Sequence, residues 1–424
     1  MLELKKYINK IKKSKDGRTL VANFGYLSLL QIAGYIFPLI TMPYLARVIG
    51  VDGFGKIAFA SAVVVWFQTV ADWGFNYTAT RDVAKNRDDK DKVSEIFSNV
   101  LWARCLLTIA SFLLLILAIF IIPIFRENYA VILVTFLLVP GHIMFPDWFF
   151  QAMERMKYIT ILNLLSKLLF TIAVFVFIKN KSDFILQPLF TTLGYIVSGF
   201  ISMYVVLYKW QIKIKRPELK SILNIIKGST DVFINNIVPN LYNSFSVMLL
   251  GFFGGPVSNG LLDAGSKFVN ISQQFMNIIS RTFFPFLSRR IDKHSFFSKL
   301  NIYIAVSISV LLFIFAPLII KIFFTEEFYK AITVLRIMSI SILFLTLSSV
   351  YGTNYMIIQG HEKKLRNITF VSSLIGFAIS FPLIHLFDYI GAALTITITR
   401  GILGFTIMCT ARRLKNNSML NSCL

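Results

Sequence analysis

Six basic residues lie inside long apolar runs of this 424-residue chain. They are Arg104, Lys167, Lys267, Arg281, Arg336 and Arg400. A charged side chain at the centre of a bilayer costs at least about 2.5 to 3.5 kcal/mol on insertion scales, so each must face water, an opposite charge or the headgroups. A cation held in a wet cavity can take the place of water around an anion. These residues are therefore the first candidates for binding an anionic ligand.

Lys267 has the most polar surroundings of the six. Asp263 precedes it by four residues, and Ser266, Asn270 and Gln274 continue a polar stripe at helical spacing. An acid placed four residues before a lysine can form a structural ion pair along a helix. The alternative is an anion-binding charge on the wet face of the helix, and the pattern fits both interpretations.

Lys167 is open to the same two interpretations, with Asn163 and Ser166 beside it. Arg104 and Arg281 lie nearer to the predicted cytoplasmic face. Their long apolar stems allow the charged group to reach the headgroups, so we expect both to be interfacial.

Membrane-spanning helices must position these residues. Of all residues, 56% are hydrophobic and 15% are charged, and the mean hydropathy of +0.69 argues against a soluble globular enzyme. A window of about 19 residues predicts twelve spans, near residues 21–44, 54–78, 97–122, 129–150, 158–178, 184–208, 229–253, 257–285, 298–323, 331–358, 366–387 and 389–411. The predicted fold is an all-α integral membrane protein with two six-helix bundles around a central cavity.

The positive charges predict the orientation of these spans. Thirty of the 43 Lys and Arg residues fall in segments that lie inside if the N-terminus is cytoplasmic, and seven fall in segments outside. Cytoplasmic loops collect Lys and Arg, so both termini are predicted in the cytoplasm. The net charge of +22 therefore reflects loops at a membrane, and no nucleic-acid partner is expected.

The same pattern divides the chain into five segments. They are a basic amphipathic N-terminal segment (1–20), a six-helix bundle (21–208), a basic cytoplasmic linker (209–228), a second six-helix bundle (229–411) and a cytoplasmic tail (412–424). Glycines at 53 and 55 open the second span, and glycines at 254, 255 and 260 open the eighth. This recurrence hints at an internal repeat. The scattered Cys and His residues predict neither disulfides nor a metal site, and no cofactor is expected.

Four stretches carry a family resemblance. The first stretch is Asn23-Phe24-Gly25-Tyr26-Leu27, continuing through Gln31 and Pro43-Tyr44-Leu45 to Arg47-Val48-Ile49-Gly50 and Phe54-Gly55. The second is Asp72-Trp73-Gly74-Phe75-Asn76 with Ala79-Thr80-Arg81, and the third is Trp148-Phe149-Phe150-Gln151-Ala152-Met153-Glu154-Arg155-Met156. The fourth covers residues 260–267 and continues to Phe284-Pro285. In this order and spacing the chain resembles bacterial polysaccharide repeat-unit flippases, the O-antigen type of the multidrug/oligosaccharidyl-lipid/polysaccharide exporter superfamily. Ala152, Ser266 and Asn270 depart from the pattern.

The resemblance implies a flippase, not an enzyme, in the bacterial cytoplasmic membrane. Its substrate would be an undecaprenyl-diphosphate-linked oligosaccharide, moved from the inner to the outer leaflet by alternating access for O-antigen, capsule or exopolysaccharide biosynthesis. Membrane lipids are expected partners of a monomer. Polysaccharide polymerase and chain-length proteins are further candidate partners.

Two sets of site residues follow. The substrate-binding candidates are Lys267, Lys167, Arg47, Asn23, Gln31, Asn270 and Arg400. The candidates for gating or ion coupling are Asp72, Arg81, Asp263 and Glu154, with Asp72 and Arg81 as a cytoplasmic gate pair. We expect the buried cations to converge on one water-filled chamber.

Two other functions fit the composition. A multidrug exporter of the same superfamily would carry small cations, which Lys167 and Lys267 would repel. A membrane-embedded polysaccharide polymerase or ligase would need a reactive cluster outside the membrane. The predicted outer loops are short, and Glu326 and Glu327 form their only close acidic pair.

Overall fold

The computed structural model describes the backbone of residues 15–423 and the side chains of residues 25–416, apart from 27, 28, 35 and 285. Most of this described part is helical, and it contains no strand. The predicted all-α fold is confirmed. Residues 1–14 of the predicted N-terminal segment lie outside the described part, and so does the side chain of Asn23.

The first part of the chain forms ten helices. They are α1 (Lys15–Asp72), α2 (Phe75–Lys85), α3 (Lys90–Ile121), α4 (Pro123–Glu127), α5 (Tyr129–Phe136), α6 (Leu138–Met144), α7 (Asp147–Ala152), α8 (Met156–Phe177), α9 (Leu186–Tyr204) and α10 (Leu219–Ile237). A 3-10 turn (Lys181–Ile185) precedes α9, and a π-helical turn (Val205–Lys209) follows it.

The second part forms four longer helices. They are α11 (Ser244–Arg289), α12 (His294–Phe323), α13 (Ala331–Leu347) and α14 (Glu362–Cys423). Short 3-10 turns lie at Val238–Leu241, Ile291–Lys293 and Glu326–Phe328, and a π-helical segment (Ser348–Ile357) extends α13.

The helices account for the predicted number of membrane passes. Nine helical stretches of the described chain are long and apolar enough to cross a bilayer. Three of the nine contain a sharp reversal, at Gly50, Gly255 and Asp388. Dividing these three at their reversals gives twelve membrane-length segments, so the chain is a multi-pass membrane protein.

The chain separates into two compact units. Unit 1 contains residues 1–48 and 64–236, and unit 2 contains residues 49–63 and 237–424. Residues 49–63, at the start of the second span, therefore pack with the second unit. The predicted boundaries of the two bundles stay a prediction.

The predicted basic linker is only partly a linker, because α10 already begins at Leu219. The extended residues before α10 lie along α3 in unit 1. Ser94 Oγ accepts from the Lys213 amide at 3.1 Å, and Ser98 Oγ accepts from the Lys215 amide at 2.8 Å. Serine hydroxyls of α3 thus satisfy a backbone that lacks helical hydrogen bonds.

An aromatic cluster forms the core of unit 1 around α7. Phe149 and Phe150 are completely buried. Their ring centroids lie 5.9 and 5.5 Å from that of Trp210, and Phe149 meets Phe97 at 5.0 Å. Large aromatic side chains contribute most of the burial in such a core. The third stretch of the family resemblance therefore has a packing role.

Two glycines make matching sharp corners. Gly50 has φ 65° and ψ −175°, and Gly255 has φ 73° and ψ −171°. Only glycine adopts this region of backbone space without strain. The corners at the first and second spans and at the seventh and eighth spans therefore share one local geometry, as an internal repeat requires.

The two corners contact each other reciprocally within unit 2. A Cβ on Gly55 would overlap the carbonyl oxygen of Pro256, the residue after the second corner. A Cβ on Gly260 would overlap the carbonyl oxygen of Val51, the residue after the first corner. Each glycine lies five positions beyond its own corner, so the contact has a local twofold character. Small residues allow this close backbone approach in membranes.

A buried charged cluster holds three spans of unit 1 together. Arg104 of α3 is 1% exposed, and its Nη2 donates to Asp72 Oδ1 and Asn76 Oδ1, both at 2.7 Å. His142 Nδ1 of α6 lies 3.5 Å from the same Asp72 oxygen. The expectation that Arg104 reaches the headgroups is wrong, because the side chain is buried inside the bundle beside a carboxylate and an amide.

Asp72 and Arg81, the expected gate pair, do not pair with each other in this structure, and their role as a gate stays a prediction. Arg81 Nε lies 2.9 Å from Asp82 Oδ1 on the exposed surface of α2. Asp72 is paired with Arg104 instead. Asp72 therefore pairs with Arg104 of unit 1, and Arg81 pairs with the next residue in the sequence, Asp82.

Substitution of the glycines at the reciprocal contact should destabilise the protein. Gly55→Ala and Gly260→Ala force a methyl group into a backbone carbonyl, and overpacking of this kind costs about 1–3 kcal/mol. Gly25→Ala and Gly228→Ala are matched controls, because no heavy atom lies within 4 Å of a Cβ there. Thermal unfolding of the purified protein in detergent measures the difference. Equal melting temperatures for the two sets would contradict the close contact.

Removal of the Asp72 charge should destabilise unit 1. Asp72→Asn leaves Arg104 without its carboxylate, and breaking a buried ion pair costs about 3–5 kcal/mol. Asp82→Asn removes the carboxylate of an exposed pair and should cost at most about 1 kcal/mol. Thermal unfolding and membrane abundance are the readouts. The double variant Asp72→Asn with Arg104→Gln should recover much of the loss, and a mild Asp72→Asn phenotype would refute this account.

Candidate functional site

The candidate site in unit 1 lies along the seam between α1 and α8. Thr160 Oγ1 of α8 donates to the Tyr26 carbonyl at 2.9 Å near one end, and Tyr44 Oη donates to the Ile178 carbonyl at 2.7 Å near the other. Both contacts join residues 134 positions apart. The first and fifth spans thus run parallel and in register, as expected for two odd-numbered spans.

Lys167 lies between these two contacts and points at α1. Its ammonium nitrogen lies 3.3 Å from where a Cβ on Gly34 would be. A larger residue at position 34 would push the ammonium group away, so glycine makes room for the cation. Gln31 lies one turn earlier on α1 and is half-buried.

No carboxylate neutralises Lys167 within the described residues. Asn163, one turn away on α8, uses its side chain to donate to the Ile159 carbonyl at 2.9 Å. Ser166 is bonded to Ser198 at 2.6 Å. The polar residues beside Lys167 are therefore engaged in helix packing, whereas the half-buried lysine pairs with no carboxylate of the described residues. A membrane cation in this state is a candidate anion-binding group.

The second set of candidates lies in unit 2 on α11. Lys267 Nζ lies 3.0 Å from Asp263 Oδ2, and the two side chains are 40% and 24% exposed. The structural pairing that the sequence left open is thus present. Because the lysine remains partly exposed, the pair can still face a ligand. Asn270 is exposed on the same helix.

Arg400 of α14 lies inside the helix packing of unit 2. Its side chain is 6% exposed, and it donates to Ser341 Oγ at 3.0 Å and to Asn243 Oδ1 at 3.3 Å. These partners join α14 to α13 and to the start of α11. In this arrangement Arg400 ties three elements together, and substrate binding by it stays a prediction.

The remaining candidates lie on exposed surfaces. Arg47 is exposed three residues before the corner at Gly50. Glu154 Oε2 lies 3.1 Å from Arg87 Nη1, and more than a third of each side chain is exposed. Exposed pairs of this kind contribute little to stability. Substrate binding by Arg47 and ion coupling by Glu154 stay predictions.

Sequence reasoning missed the partners of Asp72. Arg104 is 32 positions from Asp72, and His142 lies on a third helix. The available signal was one basic and one acidic residue in consecutive apolar spans. A buried cation without a local partner needs an acid from elsewhere.

Comparison with a family model places the chain among proteins of polysaccharide biosynthesis. The model described as "Polysaccharide biosynthesis protein" matches residues 20–291. A relative from Escherichia coli (strain K12), named "Putative O-antigen transporter", is 29% identical over 407 residues, which cover 94% of this chain and 97% of the relative. A Shigella dysenteriae relative with the same name is 27% identical, covering 89% of this chain and 96% of that one.

Solved structures share the fold. The lipid II flippase MurJ in an inward closed conformation matches with a TM-score of 0.73 and 16% identity, over 91% of this chain and 87% of that chain. An inward-facing multidrug resistance MATE family transporter of the MOP superfamily matches with a TM-score of 0.59 and 13% identity, over 92% and 97%. The resemblance drawn from the sequence is confirmed at the level of the family. This chain belongs to the polysaccharide biosynthesis protein family.

Proposed function

We propose that this protein flips lipid-diphosphate-linked oligosaccharides from the inner to the outer leaflet of the bacterial cytoplasmic membrane by alternating access. It would serve the biosynthesis of a surface polysaccharide such as O-antigen. Membership of the family and two relatives named as O-antigen transporters support this substrate class. The flippase MurJ shares the fold.

The observation that carries the proposal is Lys167. Neither a diphosphate nor an oligosaccharide can enter hydrocarbon without replacing its hydration. A half-buried lysine without a carboxylate partner among the described residues can supply charge to the diphosphate. We assign Lys267 a second, weaker role, because Asp263 already neutralises part of its charge. Convergence of the two cations on one chamber stays a prediction.

The polar residue next to Lys167 on α1 fits the sugar part of the substrate. Gln31 lies one turn from Gly34, so it lies on the helix face that Lys167 approaches. Amide side chains donate to and accept from sugar hydroxyls. We therefore infer that Gln31 contacts the oligosaccharide close to the diphosphate.

The orientation is part of the proposal. With both termini in the cytoplasm, the excess of Lys and Arg faces the inside. The substrate then enters from the side that carries the basic loops. Their positive charge attracts an anionic headgroup.

The multidrug exporter alternative fits the site less well. Small cationic drugs would be repelled by Lys167, whose charge no described acid offsets. The MATE transporters are similar to this chain in fold alone. A cationic binding group favours an anionic substrate.

The polymerase or ligase alternative loses its acidic candidate. Glu327 accepts a hydrogen bond from the Val51 amide at 3.3 Å, at the start of the helix that follows the Gly50 corner. A carboxylate at a helix N-terminus stabilises unpaired amides. Glu327 therefore has a capping role within unit 2.

Lys167→Gln should abolish most of the transport without loss of the protein. Hydrogen bonds to charged groups contribute about 1.5–3 kcal/mol, so a loss of roughly tenfold or more is expected. Restoration of surface polysaccharide in cells that lack the chromosomal copy measures transport, and immunoblotting of membranes measures abundance. Lys157→Gln, an exposed lysine at the start of the same helix, is the matched control.

The conservative variant separates charge from packing. Lys167→Arg keeps the positive charge and should restore a large part of the activity. A normal amount of surface polysaccharide in cells carrying Lys167→Gln would contradict the role of Lys167 in transport and the assignment of the site.

A double variant resolves the role of Lys267. If Lys267 binds the substrate, Asp263→Asn with Lys267→Gln stays impaired, although the charges are removed together and no unpaired carboxylate remains. If Lys267 only neutralises Asp263, the double variant recovers the activity lost in Lys267→Gln alone. We expect the impaired result in the same complementation assay. Full recovery would make the pair purely structural.

A further inference from the structure

A second basic site lies in unit 2 and contains none of the residues assigned to transport. A cavity of about 300 Å³ opens between the start of α12, the π-helical segment that follows α13 and the end of α14. Its lining combines cations with hydroxyl groups. The residues that carry this chemistry are His294, Ser298, Lys299, Tyr351, Arg412 and Lys415.

Two of the cations at the rim, Lys299 and Arg412, have no carboxylate partner among the described residues. Within the described chain, neither Lys299 nor Arg412 forms an ion pair. Arg412 instead lies over the ring of Tyr351, with 5.8 Å between its guanidinium carbon and the ring centroid. The nearby Asp292 is already paired with Arg290 at 3.1 Å and Lys293 at 3.7 Å. The cavity therefore presents net positive charge.

The wall of the cavity is held in place by hydrogen bonds. His294, which is 4% exposed, bonds through Nε2 to the Val350 carbonyl at 3.0 Å. Ser298 Oγ donates to Tyr351 Oη at 3.0 Å. The hydroxyl proton of Tyr351 is then left to donate to a ligand. Fixed donors beside cations are the groups that recognise a phosphate.

The rim continues into an apolar surface. Lys299 lies on the same stripe of α12 as Phe296 and Tyr303, which are 67% and 73% exposed. Arg412 lies two turns beyond Phe405, which is 48% exposed on the same face of α14. Exposed aromatic residues on membrane-spanning helices face lipid chains. A ligand with a phosphate and acyl chains would match both parts of this surface.

We propose that this basic pocket binds the headgroup of an anionic phospholipid, phosphatidylglycerol or cardiolipin, from the predicted cytoplasmic leaflet. Lys299, Arg412 and Lys415 bind the phosphate, and Tyr351 donates a hydrogen bond to it. The acyl chains lie along the exposed stripes of α12 and α14. Basic pockets between membrane helices at the cytoplasmic side are suited to such headgroups. The site contains neither Lys167 nor Lys267.

Lipid binding to the purified full-length protein tests the proposal. Native mass spectrometry after titration with phosphatidylglycerol, cardiolipin or phosphatidylcholine measures occupancy for each lipid. The wild type should retain the anionic lipids in preference to phosphatidylcholine. The double variant Lys299→Gln with Arg412→Gln should weaken that binding roughly tenfold, as expected for lost charged hydrogen bonds.

Arg413→Gln is the matched control, because Arg413 is exposed beside Arg412 but does not line the cavity. It should bind anionic lipid like the wild type. Equal loss in this control, or equal binding of phosphatidylcholine by the wild type, would overturn the proposal.

Inorganic phosphate is added as a competitor. Displacement of the lipid by phosphate at equal concentration would identify a soluble phosphate as the ligand and contradict the lipid assignment. If the double variant fails to fold, the binding of anionic lipid, phosphatidylcholine and phosphate by the wild-type protein still tests the proposal.

Discussion

The cost of leaving a charge unsatisfied inside the membrane orders the whole molecule. Arg104 meets this constraint with a carboxylate and an amide from neighbouring spans. Arg400 meets it with a serine and an asparagine, and Lys267 with an aspartate on its own helix. Lys167 is satisfied by none of these routes within the described chain. Arg104 and Arg400 thus join helices to one another, and we propose that Lys167 binds a ligand.

A second constraint acts on the backbone. Within hydrocarbon every peptide group must find a partner, so irregular backbone is tolerated only where protein or water satisfies it. Gly50 and Gly255 make the same reversal at the ends of the first and seventh spans. Gly55 and Gly260 then allow the backbones after the two corners to touch. The glycine pattern, which was only a weak sign of a repeat, has a physical cause in this reciprocal contact.

The sequence was informative about structural features that depend on a single helix. Hydropathy predicted twelve passes. The i to i+4 spacing of Asp263 and Lys267 offered an ion pair as one of two interpretations, and the structure contains that pair. It failed where partners come from different helices. The Asp72 carboxylate was predicted to pair with Arg81, but it lies beside Arg104, and Asp82 is the acid next to Arg81. The contact of Arg104 with Asp72 depends on how three spans pack, which periodicity along one span does not contain.

The basic linker shows the same limit. Its composition predicted a loop, yet α10 starts inside it, and the extended part is held by serines of α3. Charge alone did not reveal that the Lys-rich stretch follows a defined path. The structure supplies this because the hydroxyl groups of Ser94 and Ser98 satisfy its amides.

The account as a whole depends on recognition of a diphosphate by intramembrane cations. The most direct measurement is translocation by the purified protein in vesicles, using a fluorescent polyprenyl-diphosphate-linked oligosaccharide whose leaflet is reported by a membrane-impermeant quencher. A matched glycolipid in which the sugar is joined to the same chain without phosphate is the comparison. The account predicts protein-dependent translocation of the diphosphate-linked lipid and little of the phosphate-free one. Equal translocation of both, or of neither, would contradict it.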